Sequence, residues 1–210
     1  MNKEDLLLYF IMGSNNTSGH PSEVLEKAIK GGITCFQFRE KGVGALEGKE
    51  KEKLGRELQS ICKNHQIPFI VNDDTELAIL LEADGIHVGQ DDEPVEDIKK
   101  KCPSSMIIGV SAKTLKEAKE AERQGADYIG TGPMFATSTK EDAEAPIGSQ
   151  GIQTLRKQGI KLPIVGIGGI NKSNAKEVID AGAEGVSLIS AISQASDPEK
   201  AASELKNRLT

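Results

Sequence analysis

Short apolar runs alternate with amphipathic stretches along most of the chain. The apolar runs are rich in β-branched residues and predict eight strands, near residues 6–12, 33–39, 68–72, 85–89, 106–111, 127–131, 163–167 and 186–190. Between them, apolar positions recur at helical spacing, as over residues 23–30, 46–64, 76–82, 115–124 and 175–181. Strands that alternate with helices in this way are typical of a parallel α/β architecture.

Local signals mark where several helices begin and end. Four helix-like stretches pass through glycine straight into the next strand, at residues 30–34, 83–87, 124–128 and 181–186. Glycine in the left-handed conformation closes a helix, so we expect it in that role here. Residues 114–117 (TLKE) form a capping-box pattern, and Asp197 precedes a proline at a first helical position.

Eight near-equal strand–helix units in 210 residues predict one domain over residues 1–210, a compact (β/α)8 TIM barrel. An open doubly wound sheet is the alternative, but the regular repeats favour closure. Catalytic and binding residues of such a barrel are expected at the carboxyl ends of the strands.

Composition narrows the function. The net charge of −6 argues against a nucleic-acid partner, and the absence of tryptophan argues against stacking platforms. The longest apolar run, residues 6–12, is too short to cross a membrane. Cys35, Cys62 and Cys102 are odd in number and widely spaced, which fits a reducing cytoplasm. Barrel exteriors dimerise through patches without a sequence signature, so a homo-oligomer is compatible with this chain but not specified by it.

Acidic and basic residues follow three neighbouring predicted strands. Arg39 and Lys41 follow the second, Asp73 the third, and Asp92 the fourth. Two carboxylates one strand apart are suited to a hard cation, and the adjacent bases to a diphosphate, so we predict a Mg²⁺-bound diphosphate site. Each acid could instead cap a helix, although Asp74 is better placed as a cap and leaves Asp73 for the metal.

Alternation within the second strand gives a direction to its side chains. Gln37 and Arg39 share one face and are predicted to point into the barrel mouth, while Phe36 and Phe38 share the other face and pack on the outer helices. His87 also alternates inward, where a hydrogen-bonded core role is favoured over that of a base.

The second half predicts a phosphate site. Residues 166–169 (GIGG) end the seventh strand, and barrels often bind phosphate in the loops after strands seven and eight. This run lacks the third glycine of a dinucleotide fingerprint. Residues 134–147 form a long irregular stretch typical of a lid, in which Thr137, Thr139 and Lys140 are candidate anion ligands. Ser111, at the end of the fifth strand, adds a hydroxyl.

Six motifs together resemble the thiamine-phosphate synthase family. They are QFREK (37–41), VND (71–73), HVGQDD (87–92), GVS (109–111), TSTK (137–140) and VGIGGI (165–170). The match runs in order over residues 6–195. The resemblance implies a barrel enzyme that joins an aminopyrimidine diphosphate to a thiazole phosphate, small molecules both, with release of diphosphate.

The resemblance also implies residue roles. Asp73 and Asp92 would bind Mg²⁺. The pyrimidine diphosphate would be bound by Gln37, Arg39, Lys41, Asn72, Ser111 and Lys140. The thiazole phosphate would be bound by Thr137, Thr139, Gly169, Ile189 and Ser190, the last three partly through the backbone. Phe38, Glu40 and Ser138 of the same motifs complete the predicted substrate-binding set. Arg39, Lys41, Ser111 and Lys140 are the predicted catalytic residues. The three cations among them can neutralise the charge on the departing diphosphate, and Ser111 adds a hydroxyl.

Two positions depart from the family pattern. Ala136 replaces a frequent proline before the TSTK loop, and Lys113 replaces a frequent histidine. The related thiazole tautomerases use that histidine for proton transfer and tend to lose the paired acids, so a tautomerase is a weaker alternative here. A non-catalytic phosphate-ligand sensor is a third hypothesis. Whether the thiazole is carboxylated stays open.

Overall fold

The computed structural model describes residues 2–137 and 145–210. Its strands pair in chain order into a closed parallel barrel, in which β8 returns to pair with β1. The strands are β1 Leu8–Met12, β2 Cys35–Phe38, β3 Phe69–Asn72, β4 Gly85–Val88, β5 Ile107–Ser111, β6 Tyr128–Thr131, β7 Ile164–Ile167 and β8 Gly185–Leu188. The predicted (β/α)8 barrel is confirmed.

Helices follow the strands around the outside of the barrel. They are α1 Pro21–Lys30, α2 Gly48–Asn64, α3 Thr75–Leu80, α4 Val95–Lys101, α5 Leu115–Gln124, α6 Gly148–Lys157, α7 Ala175–Asp180, α8 Ser190–Ser193 and α9 Pro198–Leu209. Two 3₁₀ turns, Lys3–Leu6 and Ser14–Asn16, flank β1. No helix within the described residues is long and apolar enough to span a membrane.

The apolar core has two layers. The outer layer lies between strands and helices and includes the stacked rings of Phe38 and Phe69, whose centroids are 6.2 Å apart. The inner layer fills the barrel and includes Tyr9, Cys35 and Tyr128. The predicted inward and outward faces of β2 are confirmed, since Gln37 is buried inside while Phe38 belongs to the outer layer.

Several helix signals behave as predicted. Thr114 and Glu117 form the capping box of α5, and Asp197 accepts a hydrogen bond from the Lys200 N–H at the start of α9. Gly125 closes α5 with φ = 77°. The junction before β4 differs, because Glu82 takes the positive φ of 50° there and Gly85 becomes the first residue of the strand.

The eighth strand is shorter than predicted. It ends at Leu188, and Ser190 is the first residue of α8. An apolar run does not distinguish a strand from the buried helical turn that follows it, so the pattern extended the strand by two residues.

Candidate active site

A cavity of about 520 Å³ opens at the carboxyl ends of the strands. Side chains or backbone from all eight strands line it, as the fold requires for a site at this end of a barrel. Most of the predicted site residues meet here. Those that line the cavity are Gln37, Arg39, Lys41, Asn72, Asp73, Asp92, Ser111, Thr137, Gly169, Ile189 and Ser190.

The remaining predicted residues fall into two groups. Ser138, Thr139 and Lys140 lie outside the described residues. Phe38 and Glu40 are described, but their side chains are engaged elsewhere. The Phe38 ring packs in the outer core, so a contact of this side chain with substrate is a wrong prediction and only its main chain remains. Neighbouring residues of a strand point to opposite faces, which is why a contiguous motif cannot place every side chain in the mouth.

Glu40 holds two loops together beneath the basic residues. Its carboxylate accepts hydrogen bonds from Ser14 N (2.5 Å), Ser14 Oγ (2.9 Å) and Leu46 N (2.7 Å). Asn15 adds bonds to the carbonyls of Lys41 and Val43, each 3.1 Å long. These contacts fix the backbone that presents Lys41, so Glu40 shapes the site through its neighbours.

Asp73 and Asp92 approach each other at the mouth. Burial and the nearby Asp73 carboxylate raise the pKa of Asp92 above its usual range, although the Gly89 N–H, 2.7 Å from its Oδ2, works in the opposite direction. The Lys41 ammonium lies 2.6 Å from Asp73 Oδ2, and this bond raises the pKa of Lys41. Two acids with one cation beside them are therefore concentrated in one corner of the mouth.

The backbone of Asp73 is left-handed, with φ = 62°. Its N–H donates to the His87 carbonyl at 2.8 Å, which ties the residue to the end of β4. Left-handed backbone is uncommon outside glycine and is tolerated best by Asn and Asp. The chain thus turns abruptly after β3, and this turn gives Asp73 and Asp74 different directions.

Asp74 is the helix cap, as predicted. Its Oδ1 accepts from Leu77 N (2.9 Å) at the start of α3, and its Oδ2 accepts from Lys51 Nζ (2.7 Å). Burial alone would raise the pKa of Asp74, but the Lys51 ammonium and the Leu77 N–H outweigh it and lower that pKa. Asp92 is not a helix cap, since Pro94 occupies that position before α4.

Two consecutive glycines follow β7 on the opposite side of the mouth. Gly168 and Gly169 have φ values of 94° and 67°. A Cβ at Gly168 would lie 2.7 Å from the Pro133 Cβ, and at Gly169 it would lie 2.7 Å from the Ala136 carbonyl oxygen. Only glycine combines this backbone with this space. The turn brings main-chain groups to the cavity near Ile189 and Ser190, where the sequence predicts a phosphate site.

A chain of polar side chains crosses the barrel beneath the mouth. It connects Gln37, Tyr9, Tyr128, His87 and Ser111, as detailed below. His87 is the predicted hydrogen-bonded core residue. The sequence analysis did not identify Tyr9 and Tyr128 as site residues. Both occupy inward-facing positions of their strands, and the alternation of side chains along a strand could have predicted this.

A closed eight-stranded barrel whose acids and bases converge at the carboxyl ends of the strands has the architecture of a TIM-barrel enzyme. A family model described as thiamine monophosphate synthase matches residues 8–192 of the chain. The chain belongs to the thiamine monophosphate synthase family and is an enzyme of thiamine-phosphate formation.

Individual relatives agree with this assignment. The chain is 57% identical to a thiamine-phosphate synthase of Bacillus velezensis, over 96% of this chain and 90% of that protein. It is 54% identical to a thiamine-phosphate synthase of Bacillus licheniformis, over 95% of this chain and 89% of the relative. The solved structure of a thiamine phosphate pyrophosphorylase from Pyrococcus furiosus superimposes with a TM-score of 0.88 at 36% identity, covering 99% of this chain and 96% of that one.

Proposed function

We propose that the mouth of the barrel joins 4-amino-2-methyl-5-hydroxymethylpyrimidine diphosphate to 4-methyl-5-(2-phosphoethyl)thiazole or its carboxylated form. The products are thiamine phosphate and diphosphate, and the carboxylated thiazole would also release carbon dioxide. One observation carries the proposal beyond family membership: Asp73 and Asp92 converge beside Lys41 at the carboxyl ends of the strands. That arrangement is suited to a metal-bound diphosphate group.

Asp73 and Asp92 fit Mg²⁺ in chemistry and in number. The raised pKa of Asp92 reflects burial and the close Asp73 carboxylate, a repulsion that a divalent cation would relieve. Within the described residues there is no cluster of three or more His, Cys, Asp or Glu side chains able to hold a metal. Mg²⁺ is commonly bound by only one or two carboxylates together with substrate phosphates, so a pair is sufficient. When bound, the ion supplies positive charge that stabilises the departing diphosphate.

The basic side chains act on the same leaving group. The bond between the pyrimidine methylene carbon and the diphosphate oxygen breaks, and the electron pair leaves with the oxygen. Arg39 and Lys41, which line the mouth, neutralise the charge that develops on the diphosphate. Lys140 is assigned the same role from the sequence and lies outside the described residues. Ser111 donates a further hydrogen bond.

Carbon–nitrogen bond formation follows from positioning. The electron-rich aminopyrimidine stabilises the methylene cation, and the thiazole nitrogen supplies the pair for the new bond. The protein has to hold the thiazole against that carbon and keep water away. Thr137, Ile189, Ser190 and the Gly168–Gly169 turn line the side of the cavity where its phosphate would bind.

Remaining substrate contacts follow from the same placement. Gln37 and Asn72 line the floor and wall of the cavity and are assigned to the pyrimidine. Thr139 and Ser138 remain sequence-based assignments to the lid. Glu40 belongs to the site through the loops that it holds, and no nucleophilic serine or cysteine is needed by this mechanism.

The test is release of diphosphate by the purified protein. With both substrates and Mg²⁺, we expect stoichiometric diphosphate and thiamine phosphate, and a metal chelator should abolish both until Mg²⁺ is restored. Turnover of a thiazole tautomer without the pyrimidine substrate would point to a tautomerase. Tight binding of either substrate without product would point to a sensor, and both results would contradict the proposal.

A further inference from the structure

Five side chains form one continuous hydrogen-bonded chain through the barrel interior. Gln37 Nε2 lies 2.9 Å from Tyr9 Oη, and Tyr9 Oη lies 2.8 Å from Tyr128 Oη. Tyr128 Oη is 3.1 Å from His87 Nδ1, and His87 Nε2 is 3.0 Å from Ser111 Oγ. The first three residues are at most 2% exposed, whereas Ser111 lies at the cavity. The chain therefore runs from the buried interior to the cavity at the mouth of the barrel.

With a neutral His87, counting protons leaves two arrangements of the unbroken chain. Each phenol has one proton to donate, and a neutral imidazole carries one proton on either of its nitrogens. If Gln37 donates to Tyr9, then Tyr9 donates to Tyr128, Tyr128 donates to His87 Nδ1, and His87 Nε2–H donates to Ser111. In the reverse arrangement every donor and acceptor is exchanged, and the Ser111 hydroxyl must donate its hydrogen bond to His87 Nε2.

The orientation of the Gln37 amide selects the first arrangement. Its nitrogen, which can only donate, faces Tyr9. The other possible acceptor for the Tyr9 proton is the Cys35 sulfur, but that thiol is directed at the Pro68 carbonyl and sulfur is a weak acceptor. Burial raises the pKa of both Tyr9 and Tyr128 well above the ordinary value, so both phenols keep their protons at neutral pH.

The two arrangements differ in what they offer to an anion. In the first, Ser111 accepts from His87 and has its own proton to donate into the mouth. In the second, only its lone pairs would face an anionic oxygen, which is repulsive. The first arrangement therefore favours binding of a phosphorylated ligand, and the second disfavours it.

We propose that Gln37, Tyr9, Tyr128 and His87 are positioning residues that fix His87 as its Nε2–H tautomer and commit Ser111 to donating toward an anionic oxygen. The proposal deepens the proposed function and rests on it only for the identity of that anion. It assigns no proton transfer to His87, whose role is to orient the serine hydroxyl.

Small residues in the barrel wall make room for this chain. A Cβ at Gly109 would overlap the phenol of Tyr128 and would lie 2.5 Å from His87 Nδ1. A Cβ at Gly130 would lie 3.1 Å from His87 Cε1. Two glycines on adjacent strands thus leave the space in which the imidazole and the phenol meet.

Nitrogen-15 NMR of histidine-labelled protein at neutral pH tests the tautomer directly. The resonances of His87 are assigned with His87→Gln, since the chain has three histidines. We expect the Nε2–H form in the unaltered protein, and a mixture of tautomers in Tyr128→Phe and Tyr9→Phe. A predominant Nδ1–H form, a doubly protonated ring, or a tautomer unchanged in both variants would overturn the proposal.

Thr131→Val is the matched control for loss of a buried hydroxyl. Thr131 lies on the same strand as Tyr128 and donates to the Ala112 carbonyl at 2.9 Å, outside the chain. The tautomer of His87 should not change in this variant. If Tyr128→Phe fails to fold, the unaltered protein and Tyr9→Phe still decide the question.

Binding of inorganic diphosphate with Mg²⁺ tests the coupling to Ser111. By calorimetry we expect Tyr9→Phe and Ser111→Ala each to weaken affinity by about tenfold. If Tyr9 acts through Ser111, adding Tyr9→Phe to Ser111→Ala should cause no further loss. Additive losses would contradict the positioning role. If the unaltered protein does not bind diphosphate, the proposed function is wrong. The NMR experiment still tests the hydrogen-bonded chain, because it reports the tautomer of His87 independently of diphosphate binding.

Discussion

Lys41 and Asp73 form an ion pair across the ends of β2 and β3, with Lys41 Nζ 2.6 Å from Asp73 Oδ2. The motifs predict separate roles for these residues, Lys41 at the diphosphate and Asp73 at the metal. Their contact means that the base and the acid are presented as a unit. In the proposed mechanism Asp73 would bind the metal, and the Lys41 ammonium would contact the phosphate oxygens instead of Asp73.

Lys41→Ala should weaken affinity for the pyrimidine diphosphate by roughly tenfold, because one charge-assisted contact is lost. Lys51→Ala is the matched control, since Lys51 makes an equivalent bond of 2.7 Å to Asp74 one residue further on. That variant should lose stability and keep its affinity. Calorimetry with each variant measures the difference, and an unaltered dissociation constant for Lys41→Ala would remove it from the site.

Asp92→Asn should lower turnover by about 100-fold or more while the protein stays folded. The residue lies at the mouth, and an asparagine there can still accept the bond from the Gly89 N–H, so the unfolding temperature should change little. Asp97→Asn, on the surface of α4, is the control for loss of an exposed acid. Turnover is measured against Mg²⁺ concentration. Collapse of the unfolding transition in Asp92→Asn would indicate a structural role instead.

Asp74→Asn should make stability less dependent on pH. The pKa of Asp74 is lower in the folded protein than in the unfolded chain, where it has the ordinary carboxyl value near 4. The charged side chain therefore stabilises the fold fully above about pH 4, and this stabilisation is lost as the pH falls through the lower folded pKa. Asn keeps the helix cap but not the pair with Lys51, so the cost at neutral pH should be about 0.5–1 kcal/mol. Denaturant unfolding of both proteins at neutral and acidic pH should show this difference shrinking as the pH falls. A difference that grows on acidification would exclude this account.

Glu40→Gln should destabilise the loops that carry Lys41. Three donors from Ser14 and Leu46 point at the carboxylate, and an amide nitrogen in its place cannot accept from them. We expect a loss of about 1–3 kcal/mol in unfolding free energy and a higher KM for the pyrimidine diphosphate. Chemical denaturation and steady-state kinetics measure the two effects. Retention of both values would show that the loops are held by other contacts.

Much of the fold could be predicted because each strand carries its own signal. Short apolar runs marked all eight strands to within about two residues, and alternation in β2 correctly separated Gln37 from Phe38. The distinction between Asp73 and Asp74 also followed from local chemistry, since a cap has to precede its helix by a fixed number of residues.

The parts that could not be predicted depend on contacts between distant residues. Tyr9 and Tyr128 are 119 positions apart, and nothing local to either phenol indicates its partner. The resemblance assigns Glu40 to substrate because it lies within a charged motif, but two of the three donors to its carboxylate belong to Ser14, in the turn after β1. Such partners emerge only when closure of the barrel brings the first and later strands together.

The left-handed turn at Asp73 sets a limit on how robust this protein can become. Glycine would relax the backbone there, and any search for thermal tolerance that ignores turnover should find that replacement. The same exchange would delete one of the paired carboxylates. Under the metal-binding role proposed for Asp73, a more stable protein obtained at this position would consequently lose its activity.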